Sequence, residues 1–158
     1  MPAKSLENHE YLKLDKQLCF ALYSALNRVT RLYRPELTAM GITYPQYIAL
    51  LSLWEKSPQT VGELGIALDL DSGTLTPLLK RMERQGLITR QRDTKDQRRV
   101  LIALTSEGKA LRARAIEMVE AMACNAVLPV PELIELRDRI QKFTATLDTA
   151  ANDVTGHG

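Results

Sequence analysis

The sequence offers little to a metal ion or a histidine-based active site. It holds two histidines, His9 and His157, both near the ends of the chain, and two cysteines, Cys19 and Cys124, 105 residues apart. That separation is neither a metal-ligand spacing nor a CxxC redox pair, so no metal and no cofactor are expected. No run of about 18 apolar residues occurs, which argues against a transmembrane helix and a membrane partner. The opening stretch MPAKSLENHEYLKLDKQ lacks the apolar centre and cleavage-like site of a secretory signal. The expectation is a cytoplasmic protein. Thiols are kept reduced there, which excludes a structural disulfide but leaves room for a transient one. Internal repeats and low-complexity tracts are also missing.

What remains is an ordinary globular composition, 45% apolar and 25% charged in 158 residues. One domain is expected at this length. The charge is unevenly placed. Between Ser72 and Arg99 stand Lys80, Arg81, Arg84, Arg90, Arg92, Lys95, Arg98 and Arg99 against Glu83, Asp93 and Asp96. The segment is therefore +5 in a chain whose total is +2. A local basic patch on a nearly neutral protein suits phosphate contact, although a solvated charged face would read the same way on charge alone.

Hydrophobic periodicity predicts a long helix over 12–39. Leu18, Leu22, Ala25, Val29 and Leu32 form a buried stripe, and Cys19, Leu22, Leu26, Val29 and Tyr33 form a second one beside it. An apolar face this wide suits burial against a second chain as well as its own core. Gly41 ends the region. Thr43 and Gln46 form a capping box, with Pro45 in the tolerant first turn of a helix reaching about Lys56. Ser57-Pro58 breaks that helix, and Thr60 with Glu63 opens a short one to about Leu68. A turn over 69–73 follows, then a helix to about Gln85 with Gly86 as its C′ residue. Its start is open between Thr76 followed by Pro77 and an earlier cap at Asp71 or Ser72. Leu87–Gln91 and Arg99–Leu104 read as a β-hairpin with a charged tip. Thr105 caps a helix to about Leu128. Pro129 and Pro131 interrupt it, and a last helix over 131–150 carries Leu133, Leu136, Ile140, Phe143 and Leu147. A disordered tail is expected from Asn152.

A short helix, a tight turn, a basic helix and a basic hairpin, in that order, describe a mainly α fold with a small β-hairpin wing. This is a winged helix-turn-helix, here over 43–104. In such a unit the second helix enters the major groove with its N-terminal residues near base edges. That stretch supplies Ser72, Thr74 and Thr76, small and hydroxylated, followed by Lys80, Arg81 and Arg84 at helical spacing. The hairpin tip carries Asp96, Arg98 and Arg99. It can reach the adjacent minor groove, where narrow A·T-rich sequence attracts arginine. Asp96 is expected to hold the Arg98 side chain in one orientation. An exposed ion pair of that kind is otherwise worth only ~0–1 kcal/mol.

Residues 60–108, with GELGIALDLDSGTLTPLLKRMERQGLITRQRDTKDQRRVLIALTSEG, resemble the MarR family of winged-helix regulators. The wing pattern Asp93, Asp96, Arg98 followed by LTSEG carries the likeness. The resemblance extends over nearly the whole chain, because 12–39 and 105–150 match the family's dimerisation helices. It implies a single MarR-like domain over 1–158 acting as a homodimer on a pseudo-palindromic double-stranded DNA operator. Within the family, LDKQLCFALYSA, LYRP and TYPQY look like the organic hydroperoxide resistance regulators. That resemblance implies a reactive Cys19, hydrogen bonds to it from Tyr33 and Tyr44, a site-lining Tyr23 and a resolving Cys124. It also implies a repressor and not an enzyme, with an organic hydroperoxide as effector.

The chemistry is consistent with those residues. A thiolate attacks the peroxide O–O bond and becomes a sulfenic acid, which condenses with a second thiol. Phenol O–H groups can favour the thiolate while their rings form an apolar pocket. Cysteine in a helix stripe is more often a small buried apolar residue, and it is the surrounding tyrosines that argue otherwise. Spacing adds a constraint. Cys19 and Tyr33 lie 14 residues apart, about 21 Å along one straight helix. A contact between them requires a second subunit or a sharp kink. Cys124 is expected to serve Cys19 of the partner subunit, giving an intersubunit disulfide. The rival readings are a MarR-type repressor responding to a small phenolic or other ligand, and a thiol peroxidase.

Overall fold

The computed structural model describes residues 9–124 and 129–155. Among these residues, six α-helices and three short strands follow one another as α1 (Leu18–Ala39), α2 (Tyr44–Glu55), β1 (Gln59–Thr60), α3 (Val61–Leu68), α4 (Ser72–Arg84), β2 (Ile88–Arg92), β3 (Val100–Leu104), α5 (Ser106–Cys124) and α6 (Val130–Thr155). The chain divides into two compact units, one to Arg114 and one from Ala115.

In the first unit, the core is built by α2, α3, α4 and the sheet. Leu50 and Leu53 of α2, Leu64 of α3, Leu75, Leu79 and Met82 of α4, and Ile88 and Ile102 of the sheet are almost fully buried. The helix ends are set by short-range chemistry. Gly41 and Gly86 sit at positive φ (71° and 73°) just past α1 and α4, and each turn is closed by paired backbone bonds, Gly41 to Thr38 with Ile42 to Leu37, and Gly86 to Glu83 with Leu87 to Met82. The same motif closes α3, but there the left-handed residue is Asp69, at φ 52°. It forms the tight turn between α3 and α4.

Both expected capping boxes bond as the sequence suggests. Thr43 N–H donates to Gln46 Oε1 at 2.9 Å. Thr60 N–H donates to Glu63 Oε2 at 2.7 Å, and Glu63 N–H returns to Thr60 Oγ1 at 3.1 Å. For α4 the open choice resolves to Asp71. Its Oδ1 accepts from Thr74 N–H at 2.9 Å, and Pro77 lies inside the helix. A carboxylate facing the free N–H groups of a first turn outcompetes the later threonine.

Four expectations are corrected. Helix α1 begins at Leu18, not residue 12. His9–Leu12 and Leu14–Lys16 are 3₁₀ turns, and Gln17 is extended at φ −90°, ψ 117°. The stripe on α1 is not buried in the protomer: Leu18, Val29 and Leu32 are 55%, 44% and 62% exposed, and Leu37 is the buried residue of the helix. The wing sheet has a third strand. Gln59 and Thr60 pair antiparallel with Ile102 and Leu101, giving the order β1-β3-β2. Finally, α6 continues through Thr155, because propagation from Ala150-Ala151 costs little once a long helix exists. The expected extension of α5 to Leu128 falls partly on 125–128, outside the described residues.

In the second unit, α6 presents Leu133, Leu136, Ile140, Phe143 and Leu147, each 38–51% exposed. Among the described residues, no helix is long and apolar enough to cross a membrane.

The junction from sheet to α5 depends on Gly108. Trp54 Nε1 donates to its carbonyl at 2.9 Å, and a Cβ there would meet Leu87 O at 2.1 Å. Gly108→Ala is therefore expected to lower unfolding stability by about 1–3 kcal/mol in urea, the usual cost of overpacking. A second expectation concerns acid. Glu63 is held down to about 2, first by its hydrogen bond from Lys56 and then by those from Thr60. Because its folded value lies below the ordinary 4.5, the stabilisation is present above that value and lost as pH falls toward 2. Glu63→Gln should flatten this part of the stability–pH curve, measured by urea unfolding between pH 5 and 2.

Candidate functional site

Two groups of candidate residues lie within the first unit. The first gathers at α1 and the start of α2. With Gln17 as N-cap, Cys19 occupies the second position of α1, and its side chain is exposed. The first rung of the helix ladder runs from Ala21 N–H to Gln17 O at 3.1 Å. The N–H groups of Leu18, Cys19 and Phe20 therefore precede the ladder, at the helix end that favours a negative charge. This placement follows from the later helix start. A helix from residue 12 would have put Cys19 mid-helix. Tyr23 is one turn on, a neighbour of Cys19 on the helix surface, and is 65% exposed.

Tyr33 and Tyr44 are brought together from different helices, with ring centroids 5.5 Å apart in an edge-on arrangement. Tyr47 completes the cluster at 5.8 Å from Tyr33 and 6.1 Å from Tyr44, and continues to Trp54 at 6.4 Å. Tyr47 entered the sequence analysis only as the last residue of TYPQY and was given no site role there. Its spacing of three from Tyr44 was the available signal. Burial, and then the neighbouring Tyr44, raise the Tyr33 phenol above its ordinary value. Burial, then Tyr33 and Tyr44, do the same for Tyr47. These hydroxyls keep their protons at neutral pH and remain hydrogen-bond donors.

Cys19 does not join the cluster through its own helix. Both Cys19 and Tyr33 belong to the continuous α1, and the helix proline, Pro35, lies beyond them. A separation of about 21 Å follows from the helical rise. Cys124 is the last described residue of α5, in the second unit, and is also an exposed free thiol.

The second group is the basic surface of α4 and the wing. Leu75, Leu78, Leu79 and Met82 are buried, which turns Gly73, Pro77, Lys80 and Arg84 outward on the opposite face. Arg81 is exposed at its flank, as are Ser72 and Thr74 at the N-terminus, whereas Thr76 is half-buried. Thr74 is partly committed, since its Oγ1 donates to Asp71 Oδ2 at 3.0 Å. Gly73 has its own reason: a Cβ would sit 2.9 Å from Asp71 Oδ1, so the cap and the glycine go together. The sequence reading did not include Gly73 or Pro77 on this surface.

The wing pairs Ile88 with Leu104 through Arg92 with Val100, leaving residues 93–99 as its tip. Two aspartates organise that tip through the backbone. Asp93 Oδ1 accepts from Lys95 N–H at 2.9 Å, and Asp96 Oδ1 accepts from Arg98 N–H at 3.0 Å. The expectation that Asp96 fixes the Arg98 guanidinium is thus corrected. The carboxylate lies within reach of the peptide N–H two residues on, forming an Asx turn, and the Arg98 and Arg99 side chains stand exposed. Arg90 at the wing base instead pairs with Glu83 of α4 at 3.6 Å.

Comparison with known proteins fits this geometry. Residues 42–100, from two residues before α2 to the first residue of β3, match the MarR family. Over 109 residues the chain is 53% identical to the organic hydroperoxide resistance transcriptional regulator of Bacillus subtilis, spanning 69% of this chain and 74% of that one. Reduced AbfR of Staphylococcus epidermidis bound to DNA superposes with TM-score 0.74 at 36% identity, over 88% of this chain and 97% of that one. Disulfide-formed AbfR superposes with TM-score 0.61 at 35% identity, over 91% and 96%. With its order of short helix, Asp69 turn, basic helix and three-stranded wing, and with relatives this similar, the chain belongs to the MarR family of winged-helix transcriptional regulators.

Proposed function

We propose that this chain is a repressor that binds a pseudo-palindromic, A·T-rich operator as a homodimer and releases it when an organic hydroperoxide oxidises Cys19. The observation that carries the reading is the contact of two phenols, Tyr33 of α1 and Tyr44 of α2, in a chain that also exposes a cysteine in the first turn of α1. The apolar faces left exposed on α1 and α6 support a dimer, since a monomer rarely leaves such surface in water. Each site then combines Cys19 with Tyr33 and Tyr44 of the partner subunit, which removes the 21 Å obstacle. Tyr23, beside Cys19, lines the apolar pocket that admits the alkyl group of the peroxide.

In the reaction, the Cys19 thiolate attacks the terminal peroxide oxygen. An S–O bond forms, the O–O bond breaks, and the alkoxide leaves as an alcohol after taking a proton. The phenol hydroxyls can donate to the thiolate before this step and to the leaving oxygen during it. The sulfenic acid then condenses with the thiol of Cys124 of the partner subunit, forming an S–S bond and releasing water. One peroxide is consumed per site, which distinguishes a sensor from a peroxidase.

On DNA, the α4 N-terminus supplies Ser72, Thr74 and Thr76 to base edges, with Lys80, Arg81 and Arg84 on the phosphates. Arg98 and Arg99 reach the minor groove from a tip stiffened by Asp96.

Cys19→Ser is expected to bind operator as wild type does and to remain bound under cumene hydroperoxide in a gel-shift assay. Release by that variant would instead favour a ligand-responsive repressor. Cys124→Ser should still oxidise at Cys19 but give no covalent dimer on a non-reducing gel. Arg98→Ala should weaken operator binding by about 1–3 kcal/mol and relax the A·T preference, read from anisotropy titrations on two operator sequences.

A further inference from the structure

A side-chain amide bridge lies between the tyrosine cluster and the recognition helix. Gln46, in the first turn of α2, is 2% exposed. Its Oε1 accepts from Thr43 N–H at 2.9 Å, and its Nε2 donates to Gln85 Oε1 at 2.6 Å. Gln85 is the C-cap of α4, and its own Nε2 donates to the Gly41 carbonyl at 3.3 Å. Three bonds thus tie the end of α1, the start of α2 and the end of α4 into one joint.

The joint shares a helical turn with the phenols. Gln46 stands between Tyr44 and Tyr47 in sequence, so a displacement of that turn carries the rings and the amide together. At the other side, α4 is a 13-residue rod, about 20 Å long. Its far end holds Ser72 and Thr74. A small rotation at Gln85 is therefore enlarged at the residues nearest the DNA. A buried amide is costly to leave without partners, so the C-terminus of α4 follows the first turn of α2 and does not slide past it.

We propose that Gln46 and Gln85 are positioning residues that transmit movement of the tyrosine-bearing turn of α2 to the recognition helix. The inference rests on the reading of Cys19 as the peroxide-sensing group. Neither glutamine touches peroxide, and their role is to set how strongly oxidation is felt at the DNA.

The test uses the full chain with Gln85→Met, which removes both bonds at similar side-chain length, and Gln85→Glu, which keeps the acceptor for Gln46 Nε2. Operator Kd is measured by anisotropy for the reduced and the cumene hydroperoxide-treated protein, and Cys19 oxidation is followed by mass spectrometry. Cys19 is expected to oxidise at the wild-type rate in both variants. The ratio of oxidised to reduced Kd should shrink roughly 2- to 30-fold in Gln85→Met and recover in Gln85→Glu. A merely structural role would shift both Kd values together and keep the ratio, which overturns the proposal. A ratio that falls in both variants overturns it too, because the Gln46–Gln85 bond would then not be the carrier. If wild-type protein oxidised at Cys19 keeps its operator, the sensor reading itself fails; an unchanged ratio in Gln85→Met beside normal release by wild type defeats the bridge alone.

Discussion

An α-helix cannot bring residues four turns apart into contact, and α1 carries both Cys19 and Tyr33, the thiol and one of the phenols of the proposed sensor, along one continuous helix. Cys19 occupies its first turn and Tyr33 lies four turns later. With no proline between them, the helix holds them about 21 Å apart. The proposed function depends on this separation. Thiol and phenols can meet only if a second α1 runs alongside, and the apolar residues left exposed along α1 and α6 provide the surface for that pairing. Under the proposed function the dimer is then a requirement of the chemistry as well as a means of reading a two-fold operator.

The proposed DNA-facing surface of α4 and the wing is organised differently. Its side chains are exposed, and little packing holds them in place. Precision comes from carboxylates bonded to backbone N–H groups: Asp71 at the start of α4, and Asp93 and Asp96 in the wing. Each fixes the backbone beside an exposed side chain of the proposed DNA surface, Ser72 beside Asp71, Lys95 after Asp93 and Arg98 after Asp96. Acidic residues in a DNA-facing surface would otherwise oppose binding, and their engagement with the backbone reconciles them with it. Among the described residues, the negative φ expected of non-glycine positions is relaxed only at Asp69, where α3 must turn sharply into α4.

Much of this was legible in the sequence because it is set by local rules. The pairs Thr43 with Gln46 and Thr60 with Glu63, the stops at Gly41 and Gly86, and the β2–β3 hairpin depend on residues a few positions apart. The start of α1 was not legible. Leu12 and Leu14 extend the apolar pattern backward, and Gln17 is not a capping residue type, so periodicity overran the helix by a turn and a half. Strand β1 is two residues long and exists only because Ile102 and Leu101 are there to pair with it. Tyr33 and Tyr44 were found through resemblance, but their contact with Tyr47 and the Gln46–Gln85 bridge are tertiary facts, 39 residues apart in the case of the glutamines. Asp96 and Arg98 looked like an ion pair because charge is visible in sequence, whereas the competing peptide N–H is common to every residue.

The most direct measurement is complementation in a mixed dimer, with one protomer carrying Cys19→Ser and the other Tyr33→Phe. If each site takes its thiol and its phenol from different subunits, this heterodimer regains one complete site, formed by Cys19 of one chain and Tyr33 of the other. Its remaining Cys19 should then oxidise with cumene hydroperoxide at the wild-type rate. Oxidation as slow as in the Tyr33→Phe homodimer would show that thiol and phenol belong to the same chain and would contradict the account.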